Sequence, residues 1–287
     1  MSESRTRTSL LLAFFHLLRL NRSMVVAMLT GAAAFSAGAG TVRSLWMTLA
    51  GWCLAVGGFS LDFYADQDLD MEGPRSVLRH NPIADGSILP RVSLAFSVTF
   101  VAASLALVLW LAMRALVPWF AILAVIIGLA LHWFETPIAR ALTLGLLQGL
   151  YVLMGSLAGR LSPALMLLAA MFFFAMFGGR GMIDIRDYPQ DVPTRVQTLP
   201  KRYGLHRTAQ FTFVCLLIAY ALSFLAYLTG EFNTLYLYLD LAFIGVGIVG
   251  ACWFVARPTP RLAHVLTLVF MVGAGFIMCL AMIVGKL

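Results

Sequence analysis

Apolar residues in this chain come in long unbroken blocks, neither alternating with polar ones as in a strand nor confined to one helical face. Read in windows of about 19 residues, the blocks fall near 24–42, 45–65, 88–113, 116–132, 138–158, 162–182, 206–229, 233–255 and 262–285. Crossing a bilayer takes about 20 apolar residues, and backbone amides in hydrocarbon have no water to bond, so each block is predicted to be a helix. The predicted fold class is therefore all-α: a polytopic membrane protein with nine transmembrane helices bundled around a central cavity, in a single domain over residues 1–287. Residues 9–23 stand apart. Their core, SLLLAFFHLLRLN over 9–21, is too short to span and carries His16 and Arg19 late, which fits an amphipathic helix lying on the membrane surface. A cleaved signal peptide fits less well, because Arg19, Asn21 and Arg22 interrupt any continuous apolar region.

Composition agrees with the pattern. The chain is 61% hydrophobic, 11% charged and has a mean hydropathy of +0.90, whereas soluble domains are about 45–50% apolar and about 25% charged. Cys53, Cys215, Cys252 and Cys279 sit singly in apolar stretches, so neither a disulfide framework nor a zinc site is indicated. With the N-terminus cytoplasmic, sixteen of the twenty basic residues fall inside and only Arg43, Arg114, Arg160 and Lys286 outside, the bias that sets orientation. The net charge of +7 is then explained by loops facing anionic lipid, and no nucleic-acid partner is needed. The expected location is a bacterial inner membrane, with two long cytoplasmic loops at 66–87 and 183–205.

Candidate chemistry lies in the acidic residues. Eight of the thirteen fall in two windows: Asp62, Asp66, Asp68, Asp70 and Glu72, then Asp184, Asp187 and Asp191. Asp62, Asp66 and Asp70 follow i, i+4, i+8, and Asp184, Asp187 and Asp191 follow i, i+3, i+7, so each set lines one helix face. Carboxylates stacked this way repel and call for cations. Mg2+ takes one or two carboxylates, several waters and substrate phosphates, and arginines bind phosphate oxygens. Arg75 and Arg79 follow the first cluster; Arg180, Arg186, Arg195, Lys201 and Arg202 surround the second. That is the composition of a site for a metal-bound diphosphate.

At these residues the sequence resembles the UbiA superfamily of intramembrane prenyltransferases, which carries N-x-x-x-D-x-x-x-D after its second helix and a second aspartate-rich motif after its sixth. LDFYADQDLD and IDIRDYPQD supply the two, and the second, followed by TLPKRYG over 198–204, is most similar to the branch of chlorophyll synthases, homogentisate prenyltransferases and archaeal ether-lipid geranylgeranyltransferases. RHNPIADG (79–86) is similar to the family's N-R-P-I-x-x-G, and LRLNR (18–22) to its L-x-R-x-R-P. Asp62 stands where the family has Asn, and Ala139 where it has the Lys of a Lys-Arg pair.

The resemblance implies a Mg2+-dependent enzyme that ionises an isoprenyl diphosphate and transfers the prenyl group to a hydrophobic or aromatic acceptor. Asp66, Asp70, Asp187 and Asp191 become principal metal ligands, with Asp62 and Asp184 in support. Arg22, Arg79, Arg186, Lys201 and Arg202 become diphosphate clamps, and Tyr64, Tyr151 and Tyr188 the rings that face the allylic cation. A cyclase acting on the same diphosphate without acceptor is the alternative. A transporter is a further one, but its site would be expected near the bilayer midplane. Two features stay outside this picture. Gly245, Gly247 and Gly250 match G-x-G-x-x-G inside a span with no preceding strand, which indicates helix packing. Asp240 is a lone carboxylate in the eighth predicted span.

Overall fold

The computed structural model describes residues 10–67, 81–111, 116–130 and 136–287. Its elements in chain order are α1 (Leu10–Leu18), α2 (Leu20–Ser36), α3 (Thr41–Ala65), α4 (Pro90–Leu111), α5 (Leu116–Ala130), α6 (Pro137–Ser156), α7 (Pro163–Asp191), the short α8 (Leu199–Tyr203), α9 (Leu205–Leu228), α10 (Thr234–Ala256), α11 (Pro260–Leu268), a π-helical segment (Val269–Ala274) and α12 (Gly275–Val284). Every regular element among the described residues is helical. Seven stretches are long and apolar enough to cross a membrane. The shorter α5 and the rod in which α11, the π segment and α12 run on continuously bring the described membrane-crossing elements to nine.

Several boundaries differ from the sequence expectation; α7 continues to Asp191, so the first part of the expected 183–205 loop is helix. The first apolar block was expected to run to residue 42, yet α2 stops at Ser36, because Gly38 and Gly40 take positive φ values of 78° and 80° and turn the chain. Hydropathy counts the AGAG stretch as apolar and is blind to that turn. The segment before α2 is a separate nine-residue helix, set off by Arg19 in left-handed backbone. Helix starts follow local chemistry: Pro137, Pro163 and Pro260 occupy first helical positions, while Ser162, Asn233 and Thr259 accept hydrogen bonds from first-turn amides.

α2 and α7 are the hubs: α2 packs on α3, α6 and α12, and α7 on α6, α9 and α11. Lipid is as apolar as leucine, so close approach and hydrogen bonds must join these helices. Gly155 of α6 lies against the Thr30 carbonyl of α2, where any Cβ would collide. On α4, Ser93, Ser97 and Ser104 donate to the Ser60, Gly57 and Ala50 carbonyls of α3 at 3.2, 2.7 and 2.8 Å. Gly247 of the glycine-rich stretch abuts the Tyr220 hydroxyl, the helix-packing role its setting indicated. Asp240 is fully buried and accepts a hydrogen bond from the Ser223 hydroxyl of α9. That contact pairs it within the α9–α10 hairpin, away from the acidic clusters.

Candidate active site

The helix order brings the ends of α3 and α7 to one end of the bundle. Asp62 lies in the last turn of α3 and Asp66 caps it, its amide donating to the Asp62 carbonyl. Asn81 secures the returning chain there: its side-chain amide donates to the Phe63 carbonyl at 2.9 Å, and its oxygen accepts from the Ile83 amide at 3.0 Å. The segment that resembles N-R-P-I-x-x-G is thus a turn pinned to the end of α3, closed by Gly86 at φ 77°. Asp68, Asp70, Glu72, Arg75 and Arg79 lie outside the described residues.

The second motif is the last part of α7. Asp184, Asp187 and Asp191 are 2%, 3% and 1% exposed. Asp184 pairs with Arg180, one turn earlier, at 2.8 Å, and also accepts from the Leu199 amide at 3.0 Å. Asp187 receives two parallel hydrogen bonds from Arg186, each 2.7 Å. Neighbouring positions on a helix do not face each other, so Arg186 has folded back onto the carboxylate beside it. Lys201 donates to the carbonyls of Asp191, Thr194 and Val196 at 3.2, 2.8 and 2.8 Å. It is the staple of the loop leaving α7.

Two arginines join the halves. Arg22, near the start of α2, lies within electrostatic reach of Asp62 on α3 and of Asp187 and Arg186 on α7. Arg140, in the first turn of α6, interacts in the same way with Asp62 and Asp66 on one side and with Asp184 and Arg180 on the other. Arg22 is open to solvent and Arg140 half-buried. The two acidic helix ends therefore share one electrostatic chamber, with α2 and α6 supplying cations between them.

Not every residue singled out from sequence converges there. Tyr64 packs with Phe14 and Phe96 around Ala13, Leu17, Phe63, Ile83 and Ile88, where α1 meets α3. Tyr151 belongs to the main core. Tyr188 is half-buried directly after Asp187. Arg202 is exposed and lies over the Tyr203 ring at 5.5 Å. Arg19 and Arg140 join the site although sequence reasoning gave them no role there, and Arg180, counted among the basic residues around the second cluster, pairs with Asp184. Arg180 had a legible signal, its i, i+4 spacing to Asp184; Arg140 and Arg19 reach their partners only through tertiary packing.

Among the described residues, no three metal-ligating side chains gather into a closed group. The oxygen donors from two helices, with arginines between them, fit an ion bound jointly with a diphosphate.

The model of the UbiA prenyltransferase family matches residues 24–282. The chain belongs to that family. Solved structures agree in fold. A digeranylgeranylglyceryl phosphate synthase is similar over 96% of this chain and 98% of its own, with a TM-score of 0.75 and 19% identity. A UbiA homologue from Archaeoglobus fulgidus bound to DMAPP and Mg2+ gives 0.73 and 17% over 93% of this chain and 97% of its own. The apo UbiA homologue from Aeropyrum pernix K1 gives 0.71 and 17% over 90% and 98%. No curated protein matches. This UbiA chain is thus an all-helical integral membrane protein with the prenyltransferase fold.

Proposed function

We propose that the chain is a Mg2+-dependent prenyltransferase that ionises an isoprenyl diphosphate and passes the prenyl group to a hydrophobic or aromatic acceptor. The observation that carries this is that Arg22 and Arg140 each lie within electrostatic reach of carboxylates of both α3 and α7. Mg2+ and DMAPP bound to the similar Archaeoglobus protein support the choice of metal and donor.

When bound, the metal supplies Lewis acidity to the departing pyrophosphate oxygens. Asp62, Asp66, Asp187 and Asp191 would hold it, with Asp70 a further ligand and Asp184 supporting from its pair with Arg180. Arg22 and Arg140 are aimed at phosphate oxygens between the helix ends, and charge-assisted donors there favour the leaving group as negative charge grows on it. Arg186, parked on Asp187, turns to the diphosphate once that carboxylate is taken; Arg79 and Arg202 are the further candidate clamps. Lys201 keeps the loop over α7 closed. Tyr188, next to Asp187, is the ring proposed to face the allylic cation. The hydrocarbon needs an apolar path, and a groove of about 350 Å³ between α2 and α12 offers one, lined by Leu20, Met24, Met28, Gly275 and Phe276.

The test is incubation with geranyl, farnesyl and geranylgeranyl diphosphates and Mg2+, with and without a lipid extract, followed by mass spectrometry. A prenylated product that requires the extract is expected. Pyrophosphate with a cyclic hydrocarbon and no acceptor would establish a cyclase instead, and substrate uptake into vesicles without pyrophosphate release a transporter.

A further inference from the structure

Arg19 joins α1 to α2 in left-handed backbone, φ 40° and ψ 51°, a conformation that a residue with a Cβ keeps only where its surroundings over-determine it. Those surroundings are specific. Phe59, Asp62 and Phe63 fall at i, i+3 and i+4 of α3 and share one helix face. The Arg19 guanidinium carbon lies 3.9 Å from the centre of the Phe63 ring and 5.4 Å from that of Phe59. Its Nη1 donates to Asp62 Oδ2 at 2.8 Å. A carboxylate beside two aromatic rings is a receptor for a flat, weakly hydrated cation. Asp62 is also one turn from Asp66 in the first acidic cluster, so one carboxylate serves both a protein cation and the metal chamber.

We propose that Arg19 is a latch: it occupies Asp62 while the chamber is empty, and arrival of a metal diphosphate draws Asp62 away and loosens α1 from α3. The proposal rests on the metal–diphosphate reading of the chamber. Ala13, Phe14 and Leu17 pack α1 on Phe63, Ile83, Ile88 and Phe96, and the left-handed junction at its end loses its ionic tie to α3 when Asp62 turns. The asparagine that the family carries at this position would accept a hydrogen bond but offer Arg19 no charge. Aspartate makes the exchange between two cations possible. Arg19 is accordingly a positioning residue, linking metal occupancy to the docking of the first helix.

The experiment uses the full chain in nanodiscs, with Mn2+ and pyrophosphate as probes. Electron paramagnetic resonance reads Mn2+ affinity, and hydrogen exchange with mass spectrometry reads the α1 amides. In the wild type, saturation with Mn2+ and pyrophosphate is expected to speed α1 exchange. Arg19→Gln should tighten Mn2+ binding by about fivefold, as removal of a part-exposed ionic competitor implies, and should abolish the change in α1 exchange. In an Asp62→Asn background, Arg19→Gln should leave Mn2+ affinity where it is. Arg19→Lys retains the charge without the planar fork and should fall between, which keeps the test open if the glutamine variant fails to fold. Unchanged or weaker Mn2+ binding in Arg19→Gln, or unmoved α1 exchange at full Mn2+ occupancy, overturns the latch alone. Lack of saturable binding in the wild type overturns the metal reading and the latch with it.

Discussion

The two carboxylate-bearing helix ends are built differently. At the end of α7 all three aspartates are buried, and two of them pair with arginines of the same helix, Arg180 one turn away and Arg186 adjacent. At the end of α3 the Asp62 side chain is 34% exposed, Asp66 is half-buried, and the arginine paired with Asp62 comes from the α1–α2 junction. Ion pairs within one buried helix end are set by that helix and are costly to break; an exposed pair between segments contributes little and exchanges readily. The α7 half is thus a preformed wall, and the α3 half a face that can rearrange when ligand arrives.

The largest effect is expected from Asp187→Ala. It removes a proposed metal ligand and strands Arg186, so turnover should fall by more than about a thousandfold. Stability should drop by about 3–5 kcal/mol, the cost of breaking a buried pair. Product mass spectrometry and thermal unfolding in detergent read both; an unchanged unfolding temperature would show that the α7 wall is not preformed. Lys201→Met comes next. Three carbonyls lose their donor, which costs about 1–3 kcal/mol, and KM should rise more than kcat falls, since the loop positions substrate. Asp62→Asn should be mild, with turnover within about tenfold and stability within about 1 kcal/mol. A loss as deep as that of Asp187→Ala would erase the contrast between the halves.

The smallest effect belongs to the opposite end of the bundle, where Glu231 bonds the Ala164 amide and Lys286, each at 3.3 Å. Burial alone would raise its pKa, but hydrogen bonds from Ser162, the Ala164 amide and Lys286 outweigh it and hold the carboxyl below its ordinary 4.5. Since the folded value is depressed, this contribution is fully present above pH 4.5 and fades as pH falls through the folded value. Unfolding temperatures of the wild type and Glu231→Gln should therefore converge in acid and differ only slightly at neutral pH. A gap that widens in acid would reverse the sign.

How much was legible in the sequence follows the same division. Apolar blocks announce helices because lipid leaves the backbone no other partner, and helical spacing puts Asp184, Asp187 and Asp191 on one face without any knowledge of tertiary structure. The nearest counter-charge, Arg180, is legible for the same reason. Residues whose role depends on a distant segment were not legible. Arg140 precedes Asp184 by nearly two spans and the loop between them, and Arg19 reaches Asp62 only because Gly38 and Gly40 turn the chain and α2 packs on α3. Lys201 was expected at the diphosphate by its charge alone, yet the nearby carbonyls claim it, a contact between loop atoms that spacing does not encode. Asp240 was legible only as a lone intramembrane carboxylate outside the acidic clusters, and its partner Ser223 comes from the neighbouring helix α9.

The central claim is that α3 and α7 grip one metal diphosphate between them. It is tested most directly by pulsed electron–nuclear double resonance on Mn2+ with pyrophosphate, which reads the 31P coupling to the bound ion. The wild type should show that coupling, and Asp66→Ala and Asp187→Ala should each abolish it. Full coupling in either variant would mean that one helix end holds the ion unaided, and the shared site would be refuted.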